Sequence, residues 1–341
     1  MGMTPGALFL EPAYLDALRD SRSADADSGW LPQASPGPAP CWRKSHSWGE
    51  FVFDQAFAQA YERAGGRYYP KRVCALPYTP VPGPRLGAQP AQAAAALRQQ
   101  CTEGGESGAH VLFLPEAEAQ AVLAEDPTWL LRLDLRFVWE NSGYADFDAF
   151  LAALPGKRRK RIRAERRQVG EHGLRIDWCH GGELDATQWQ RIYALYASTY
   201  AMRGQAPYLA PDCLRAWGQA FGPRMPLCLA RAQGEIVAMA FYFDDGDTLY
   251  GRHWGAAADF RQLHFELCYY QGIDYAIHRQ RRRFDAGVQG GHRLKRGFRA
   301  EYSRSLHWFA DPGLRAAVAR YLEQERAQVQ ADYAALRARY G

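Results

Sequence analysis

The chain has 341 residues, 47% of them hydrophobic and 23% charged, and a formal net charge of +5. This length suffices for about two domains, and the composition excludes a disordered chain and a small disulfide-rich scaffold. The seven cysteines form no CxxC pair, so neither a zinc site nor a disulfide framework is indicated. No segment approaches the ~18 consecutive apolar residues of a membrane-spanning helix, and no signal peptide is evident. We therefore expect a cytoplasmic protein without an integral membrane contact or a metal site.

The first half is expected to alternate helices and strands. Residues 21–40 are rich in Ser, Asp and Pro and predict a loop. Arg85 stands in a second, Pro- and Gly-rich loop over 77–90 that follows a strand. Apolar spacing predicts helices over 11–19, 48–64 and 91–101 and strands over 68–76, 111–114 and 130–138.

The strongest charge run has eight Lys or Arg between Lys157 and Arg167. On a helix, Arg159, Arg163 and Arg167 would share one face, which is either a solvated face or a phosphate-binding one. The run predicts a domain junction, giving domains over 1–154 and 155–311 and a C-terminal helix over 312–341.

The second half repeats the α/β alternation. Two segments, EFVFDQAFAQAYERAGGRYYP and HFELCYYQGIDYAIHRQRRRFDAG, both run from an aromatic-rich helix into an aromatic strand, as two copies of one fold would. The long C-terminal helix is expected to pack on the body or on a second subunit, so a homodimer stays open. The pattern predicts helices over 186–203, 211–221 and 260–280 and strands over 227–231, 236–244, 248–254 and 282–286.

A glycine-rich loop over 284–297 is the best candidate site. Glycines let backbone N–H groups approach an anion, and loops at strand ends bind ligands in α/β folds. His292 is the candidate general base, and Asp285 would orient it or an incoming ammonium; the alternative is a solvated tight turn. The loop also contributes Gln289, Gly290, Lys295 and Arg296.

Three further segments carry candidate residues. Along the strand YGRHW, alternation places Arg252 and Trp254 on one face and His253 on the other. In the following helix, Glu266 and Tyr270 are four apart and share a face beside Tyr269; the alternative is a surface glutamate beside core aromatics. Near the N-terminus, His46 and Glu50 lie at the start of a predicted helix, as an anion contact or as part of a capping box begun by Ser47.

These segments resemble a known family. The stretches KSHSWGEFVFDQAFAQAYERAGGRYYPKRVCALPYTPVPGPRL, GKRRKRIRAERRQV, YGRHWGAAADFRQLHFELCYYQGIDYAI and RRRFDAGVQGGHRLKRGF are similar to the FemAB-like predicted N-acyltransferases of the GNAT superfamily. The resemblance implies tandem GNAT-like α/β domains, with mixed central sheets flanked by helices, and a role in peptidoglycan biosynthesis. This sequence departs from the family where QASPGPAPCWRK replaces the strand before KSHS, and where the glycine loop for the coenzyme A pyrophosphate is missing.

The resemblance implies an N-acyltransferase that moves an acyl group from acyl-CoA to an amine of a small molecule or peptide. Acyl-CoA would be a co-substrate, and no tightly bound cofactor is expected. One alternative is aminoacyl transfer from a charged tRNA to a peptidoglycan precursor or peptide, and another is a catalytically silent ligand-binding module. The candidate catalytic residues are Asp285, His292 and Glu266. The candidate substrate- and donor-binding residues are His46, Glu50, Arg85, Arg252, His253, Trp254, Tyr269, Gln289, Gly290, Lys295 and Arg296.

Overall fold

A single mixed sheet runs through the computed structural model, which describes residues 4–287 and 290–340. The described strands are ordered β1-β2-β3-β4-β11-β5-β10-β9-β8-β7-β6. They are β1 (Trp30–Gln33), β2 (Cys41–Lys44), β3 (Lys71–Cys74), β4 (Gly108–Leu112), β5 (Leu130–Glu140), β6 (Arg175–His180), β7 (Pro226–Ala232), β8 (Glu235–Asp244), β9 (Thr248–Ala256), β10 (Arg283–Asp285) and β11 (Arg299–Phe309).

Helices flank this sheet, as expected for an α/β fold. They are α1 (Pro12–Asp20), α2 (Gln55–Arg63), α3 (Pro90–Glu103), α4 (Glu116–Glu125), α5 (Phe147–Ala153), α6 (Gly156–Gly170), α7 (Ala186–Ala201), α8 (Pro211–Phe221), α9 (Leu263–Phe265), α10 (Gln271–His278) and α11 (Pro312–Tyr340). A π-helical segment, Glu266–Tyr270, joins α9 to α10. In the described part of the chain, no helix is long and apolar enough to cross a membrane.

The sheet is nearly symmetric about its centre. The antiparallel pair β11 and β5 lies in the middle, and β4 and β10 flank this pair on its two sides. Next come two parallel pairs, β3 with β4 and β9 with β10, and each contains a helical connection, α3 in the first and α9 to α10 in the second. The arrangement is that of two similar units which have exchanged their last strands. The boundary near residue 154 stays a prediction.

The two segments that look alike in sequence occupy different places in this arrangement. One contains α2 and β3, and the other contains α9 to α10 and β10. By position in the sheet, the counterpart of α10 and β10 is α3 and β4. The echo therefore reflects a shared helix-to-strand composition and not equivalent elements.

The predicted start of the chain is partly wrong. The expected loop over 21–40 contains β1, and the strand that we expected to be replaced before KSHS is present as β2, paired with β1 and β3. Four-residue strands are too short to show alternation, and β2 ends in the fully buried Lys44. The helix predicted from residue 48 begins only at Gln55, so residues 46 and 50 do not lie at a helix N-terminus.

In the second half of the chain, helices cover both faces of the sheet, and these two faces border the candidate site. We call them the α7 face, which is covered by α1, α7 and α8, and the α10 face, which is covered by α5, α6 and the π-helical segment with α10. α11 packs against β5 and β11 and buries Leu314, Val318 and Leu322. All seven cysteines are free thiols.

Candidate active site

The sheet opens between β9 and β10. These parallel strands pair only over Thr248–Tyr250 and Arg283–Asp285, whereas β9 continues to Ala256. Among the described residues, the chain after Asp285 no longer pairs with β9. The opening holds a cleft of about 110 Å³, at the carboxyl ends of parallel strands where ligands bind in α/β sheets. The cleft is lined by Ala240, Phe241, Tyr242, Gly251, Arg252, His253, Trp254, His264, Cys268, Tyr269, Ala286 and Arg293.

A β-bulge shapes one wall of the cleft. Phe241 on β8 lies opposite His253 on β9, but the next residue, Tyr242, lies opposite Gly251. Arg252 is therefore the extra residue of the bulge, without a partner of its own on β8. A bulge of this kind interrupts the alternation of side chains and re-aims them, and bulges are frequent beside active sites.

The bulge overturns the predicted face assignment. Arg252 lies 5.7 Å from the ring of Phe9 and belongs to the α7 face. The His253 ring, 5.0 Å from that of Tyr196, lies on the same face. Trp254 lies on the α10 face, where its ring is 5.3 Å from His264. Arg252 and His253 thus share a face, whereas strict alternation would have separated them.

On the α10 face, the π-helical segment Glu266–Tyr270 meets the helical turn Gly291–Arg296. The Tyr269 hydroxyl lies 2.9 Å from His292 Nε2, and Arg293 Nε donates to the same hydroxyl at 3.3 Å. Tyr269 lines the cleft, so it connects His292 to the space where a ligand would lie. Single π-helical turns within α-helices are frequent at functional sites.

The histidines around the cleft are held neutral. Partial burial and the neighbouring guanidinium groups lower the pKa of His292. Burial lowers the pKa of His264 to about 4 and that of His253 well below the usual range. Burial raises the pKa of Tyr269, which keeps its proton at neutral pH. Of these side chains, His292 is the exposed one, so it can take a proton from Tyr269 and pass it to solvent.

Asp285 is buried in an ion pair. Its Oδ2 accepts a hydrogen bond from Arg136 on β5, and its Oδ1 accepts one from the Gly287 backbone N–H at 2.9 Å. Asp285 is 2% exposed and Arg136 7%. The structure brings Asp285 to the edge of the site, but it engages both carboxylate oxygens within the protein.

Arg296 and Lys295 lie in different environments. Arg296 is buried, its Nη2 lies 2.8 Å from Glu165 Oε2 on α6, and its guanidinium stacks 3.6 Å from the Phe265 ring centroid. It also donates from Nε to the Tyr270 hydroxyl at 2.9 Å. Lys295 is exposed. Of the two candidate phosphate ligands, Lys295 is therefore the available one, and Arg296 anchors the turn that carries it.

Glu266 lies away from the cleft lining. Its Oε1 is 3.0 Å from Arg166 on α6 and accepts a hydrogen bond from Gln271 at 2.8 Å. Its Oε2 is buried and has no hydrogen-bond partner among the residues that the structure describes. Tyr270 also reaches α6, where its hydroxyl donates to Glu165, so Glu266 and Tyr270 approach the same helix.

The glycine-rich loop is described only in part. Gln289 lies outside the described residues. Gly290 has a φ of 107°, and a Cβ at this position would lie 2.5 Å from the His292 ring. Glycine is therefore required here for the close approach of His292.

Arg85 holds its own loop in the first half of the chain. The guanidinium is fully buried and donates to three backbone oxygens: Nε to Leu112 at 2.9 Å, Nη2 to Val81 at 2.6 Å and Nη1 to Pro84 at 3.1 Å. Burial lowers its pKa to about 10. Leu112 is the last residue of β4, so Arg85 fills the space beside β4 at its carboxyl end.

Glu50 belongs to a buried charge cluster. Its Oε2 lies 2.7 Å from Lys71 Nζ, which also bonds to Asp54 and to Ser47. Burial raises the pKa of Glu50 to about 7. The cluster ties residues 47–54 to β3. His46 is half-buried beside it, and its Nδ1 accepts the Trp48 backbone N–H at 3.2 Å. The structure does not bring His46, Glu50 or Arg85 into the cleft lining.

The basic helix α6 lies next to the site. It buries Ile162 and Val169, as predicted, and packs against both the π-helical segment and the turn Gly291–Arg296. It exposes five cations, Lys157, Lys160, Arg161, Arg163 and Arg167, of which Arg161 pairs with Glu165.

Sequence reasoning missed Arg136 as part of the site. The residue alternates with apolar neighbours along β5, as a solvent-facing arginine would, and its partner is 149 residues away. The only sequence signal is that the last apolar run of this strand, Phe137 to Trp139, is continuous and not alternating, which is typical of a strand buried on both faces.

Comparisons with known proteins agree with this architecture. The FemAB-like family, described as peptidoglycan biosynthesis/recognition, matches residues 3–340. No curated protein matches the sequence. The L-PGS structure from Bacillus licheniformis has a TM-score of 0.54 at 10% identity over 94% of this chain and 98% of that one.

Two further solved structures share the fold. The C-terminal domain of a putative lysylphosphatidylglycerol synthetase from Agrobacterium fabrum has a TM-score of 0.53 at 10% identity, covering 93% of this chain and 96% of that one. FemX has a TM-score of 0.52 at 10% identity, covering 92% and 95%. At such identities these likenesses show the fold alone. Since the family match spans nearly every residue, the chain belongs to the FemAB-like family of peptidoglycan biosynthesis and recognition.

Proposed function

We propose that this protein is an enzyme that transfers an acyl or aminoacyl group from an activated donor to an amine in peptidoglycan biosynthesis. The observation that carries the proposal is the opening between β9 and β10. The cleft there is bordered by Tyr269 on the α10 face and by Arg252 and His253 on the α7 face. Two substrates approaching from opposite faces would meet at this gap, and holding them together would supply much of the rate.

The proposed chemistry needs a proton acceptor and donors for an oxyanion. The amine nitrogen attacks the carbonyl carbon, and collapse of the tetrahedral intermediate breaks the carbon–sulfur bond of a thioester or the carbon–oxygen bond of an aminoacyl ester. The proton lost by the amine passes through the Tyr269 hydroxyl to His292, 2.9 Å away. Backbone N–H groups of β9 beyond Tyr250 would stabilise the oxyanion, because this stretch has left its pairing with β10.

Acyl-CoA is the donor proposed first. Lys295 and the exposed cations of α6 would hold its phosphates on the α10 face, whereas Arg296 is committed to Glu165. A ligand at 100 times its dissociation constant adds about 2.7 kcal/mol of stability, which raises the unfolding midpoint of a chain of this length by about 4 °C. We expect that shift with acyl-CoA thioesters, a smaller one after Lys295→Ala, and the full shift after Arg320→Ala on the exposed side of α11.

The exposed cations of α6 also favour a second donor, a charged tRNA. Binding that depends on phosphate contacts weakens steeply as salt is added. Replacing Lys160 and Arg163 by alanine should then reduce both the affinity for tRNA and its salt dependence. A thermal shift with thioesters that tRNA does not reproduce would rule this donor out.

His292 provides the test of catalysis. Loss of a general base costs about 100-fold or more in rate, so His292→Ala should lower turnover by that factor while leaving donor binding in place. Near-normal turnover would remove His292 from the mechanism. Donor binding without any product across a wide panel of amines would contradict the proposed transferase and favour a binding module.

A further inference from the structure

Arg252 is a half-buried cation to which no other described residue supplies a carboxylate. Among the described residues, no carboxylate lies within 4.0 Å of its guanidinium. A charge removed from water is costly unless it is paired or hydrogen-bonded, and other buried arginines of this protein meet that need, as Arg85 does with three backbone oxygens. Three of them pair with a buried carboxylate: Arg72 with Glu106, Arg136 with Asp285, and Arg296 with Glu165.

The guanidinium is held in place although it is unpaired. The bulge fixes its backbone, and Nη2 donates to the Tyr78 carbonyl oxygen at 2.5 Å. The guanidinium lies 5.7 Å from the ring of Phe9, which belongs to the buried cluster of the α7 face. A cation in apolar surroundings attracts an anion more strongly than one in water. Arg252 itself lines the cleft.

We propose that Arg252 binds a carboxylate of the acceptor, so that the acceptor is an amine that also carries a carboxyl group, such as an amino acid or a short peptide. This inference rests on the proposed function. Arg252 lies on the α7 face, whereas Tyr269, His292 and Lys295 lie on the α10 side of the gap. The donor phosphates therefore have cations of their own, and Arg252 serves the other substrate. The planar guanidinium can donate two parallel hydrogen bonds to one carboxylate.

Matched ligand pairs test this directly. Isothermal titration calorimetry would measure the binding of Nα-acetyl-L-lysine and L-alanyl-D-alanine and of the corresponding amides, which keep the amine and lack the carboxylate. Hydrogen bonds to a charged group imply a preference of about 10- to 100-fold for the acid over the amide. Arg252→Gln should remove that preference and change the affinity for the amides less than about twofold.

Two further variants keep the test decisive. Arg252→Lys retains the charge without the two-pronged geometry and should retain part of the preference, even if Arg252→Gln is unstable. Arg175→Gln, on the outer strand β6, should change nothing. No measurable binding of either acid, equal affinities for acid and amide, or an equal loss for both in Arg252→Gln would overturn the proposal. Calorimetry needs no turnover, so a carboxylate preference without product would leave this inference standing and contradict the proposed transfer.

Discussion

The ion pair between Arg136 and Asp285 joins β5 to β10 at the edge of the cleft, and solvent has almost no access to it. The substitution Asp285→Asn removes the negative charge but keeps an oxygen that can accept the Gly287 N–H. The guanidinium of Arg136, whose Nε already lacks a hydrogen-bond partner, is then left buried and unpaired. Breaking a buried pair in this way costs about 3–5 kcal/mol.

That loss is large enough to measure. At about 2.1 cal/mol/K per residue, a chain of this length unfolds with an entropy near 0.7 kcal/mol/K, so the midpoint should fall by about 4–7 °C. The double variant Arg136→Met/Asp285→Asn removes both charges and should recover much of the loss. Asp134→Asn, an exposed carboxylate on the same strand β5, is the control and should change stability by less than about 0.5 kcal/mol.

Kinetics separate this structural role from a catalytic one. If Asp285 only holds the sheet, turnover measured well below the midpoint should fall modestly and recover in the double variant. A general base would behave differently, because its loss lowers the rate by about 10²- to 10⁴-fold without a matching loss of stability. That second result, with no recovery in the double variant, would refute the structural role.

Three more outcomes are expected. The value of kcat/KM should rise with pH through a pKa below the ordinary histidine value of 6.5 and level off near neutrality, because only neutral His292 accepts a proton. If the same rise in kcat/KM persists in His292→Gln, this expectation is contradicted. Arg85→Met leaves three carbonyl oxygens without donors and should lower the free energy of unfolding in urea by about 3–5 kcal/mol with unchanged acyl-CoA affinity; weaker binding by the folded variant would restore Arg85 to the donor site. Burial raises the Glu50 pKa to about 7, above its unfolded value near 4.3, so its stabilising contribution is complete at acid pH and is lost as pH rises through 7. Glu50→Gln should flatten that decline in urea titrations between pH 5 and 8, and an unchanged slope would contradict the shift.

The sequence was sufficient to predict those elements whose ends are set by local residue preferences. α8 spans Pro211–Phe221, as predicted, since proline opens it and glycine follows it. The turns at Gly234 and Gly246 have positive φ and join β7 to β8 and β8 to β9, as their Gln-Gly and Asp-Gly sequences indicate. His292 was selected from a loop at a strand end, Arg252 from a strand and Tyr269 from a helix, and the fold brings the three to one opening.

The features that the sequence did not predict depend on contacts between residues far apart in the chain. β11 was not predicted, because its buried positions include Ser303, Ser305 and His307, which do not form an apolar alternation. His307 is buried because its ring bonds to Ser305 at 2.8 Å and to His110 on β4 at 2.9 Å. The bulge at Arg252 likewise has no signal in YGRHW, and this single extra residue placed Arg252 on the same face as His253 and not with Trp254.

The exchanged central strands make each half of the protein dependent on the other for its fold. β11 is the last of the described strands along the chain, yet it lies between β4 and β5, with Arg299 opposite Val138 and His307 opposite Leu130. A fragment ending near residue 154 would present β4 without its inner neighbour, and the remaining fragment would carry β11 with no strand on either side. Such unpaired edges promote aggregation. Mixed together, the two fragments have the complementary edges needed to rebuild the sheet, which makes this chain a natural candidate for a split protein that regains its cleft only on reassembly.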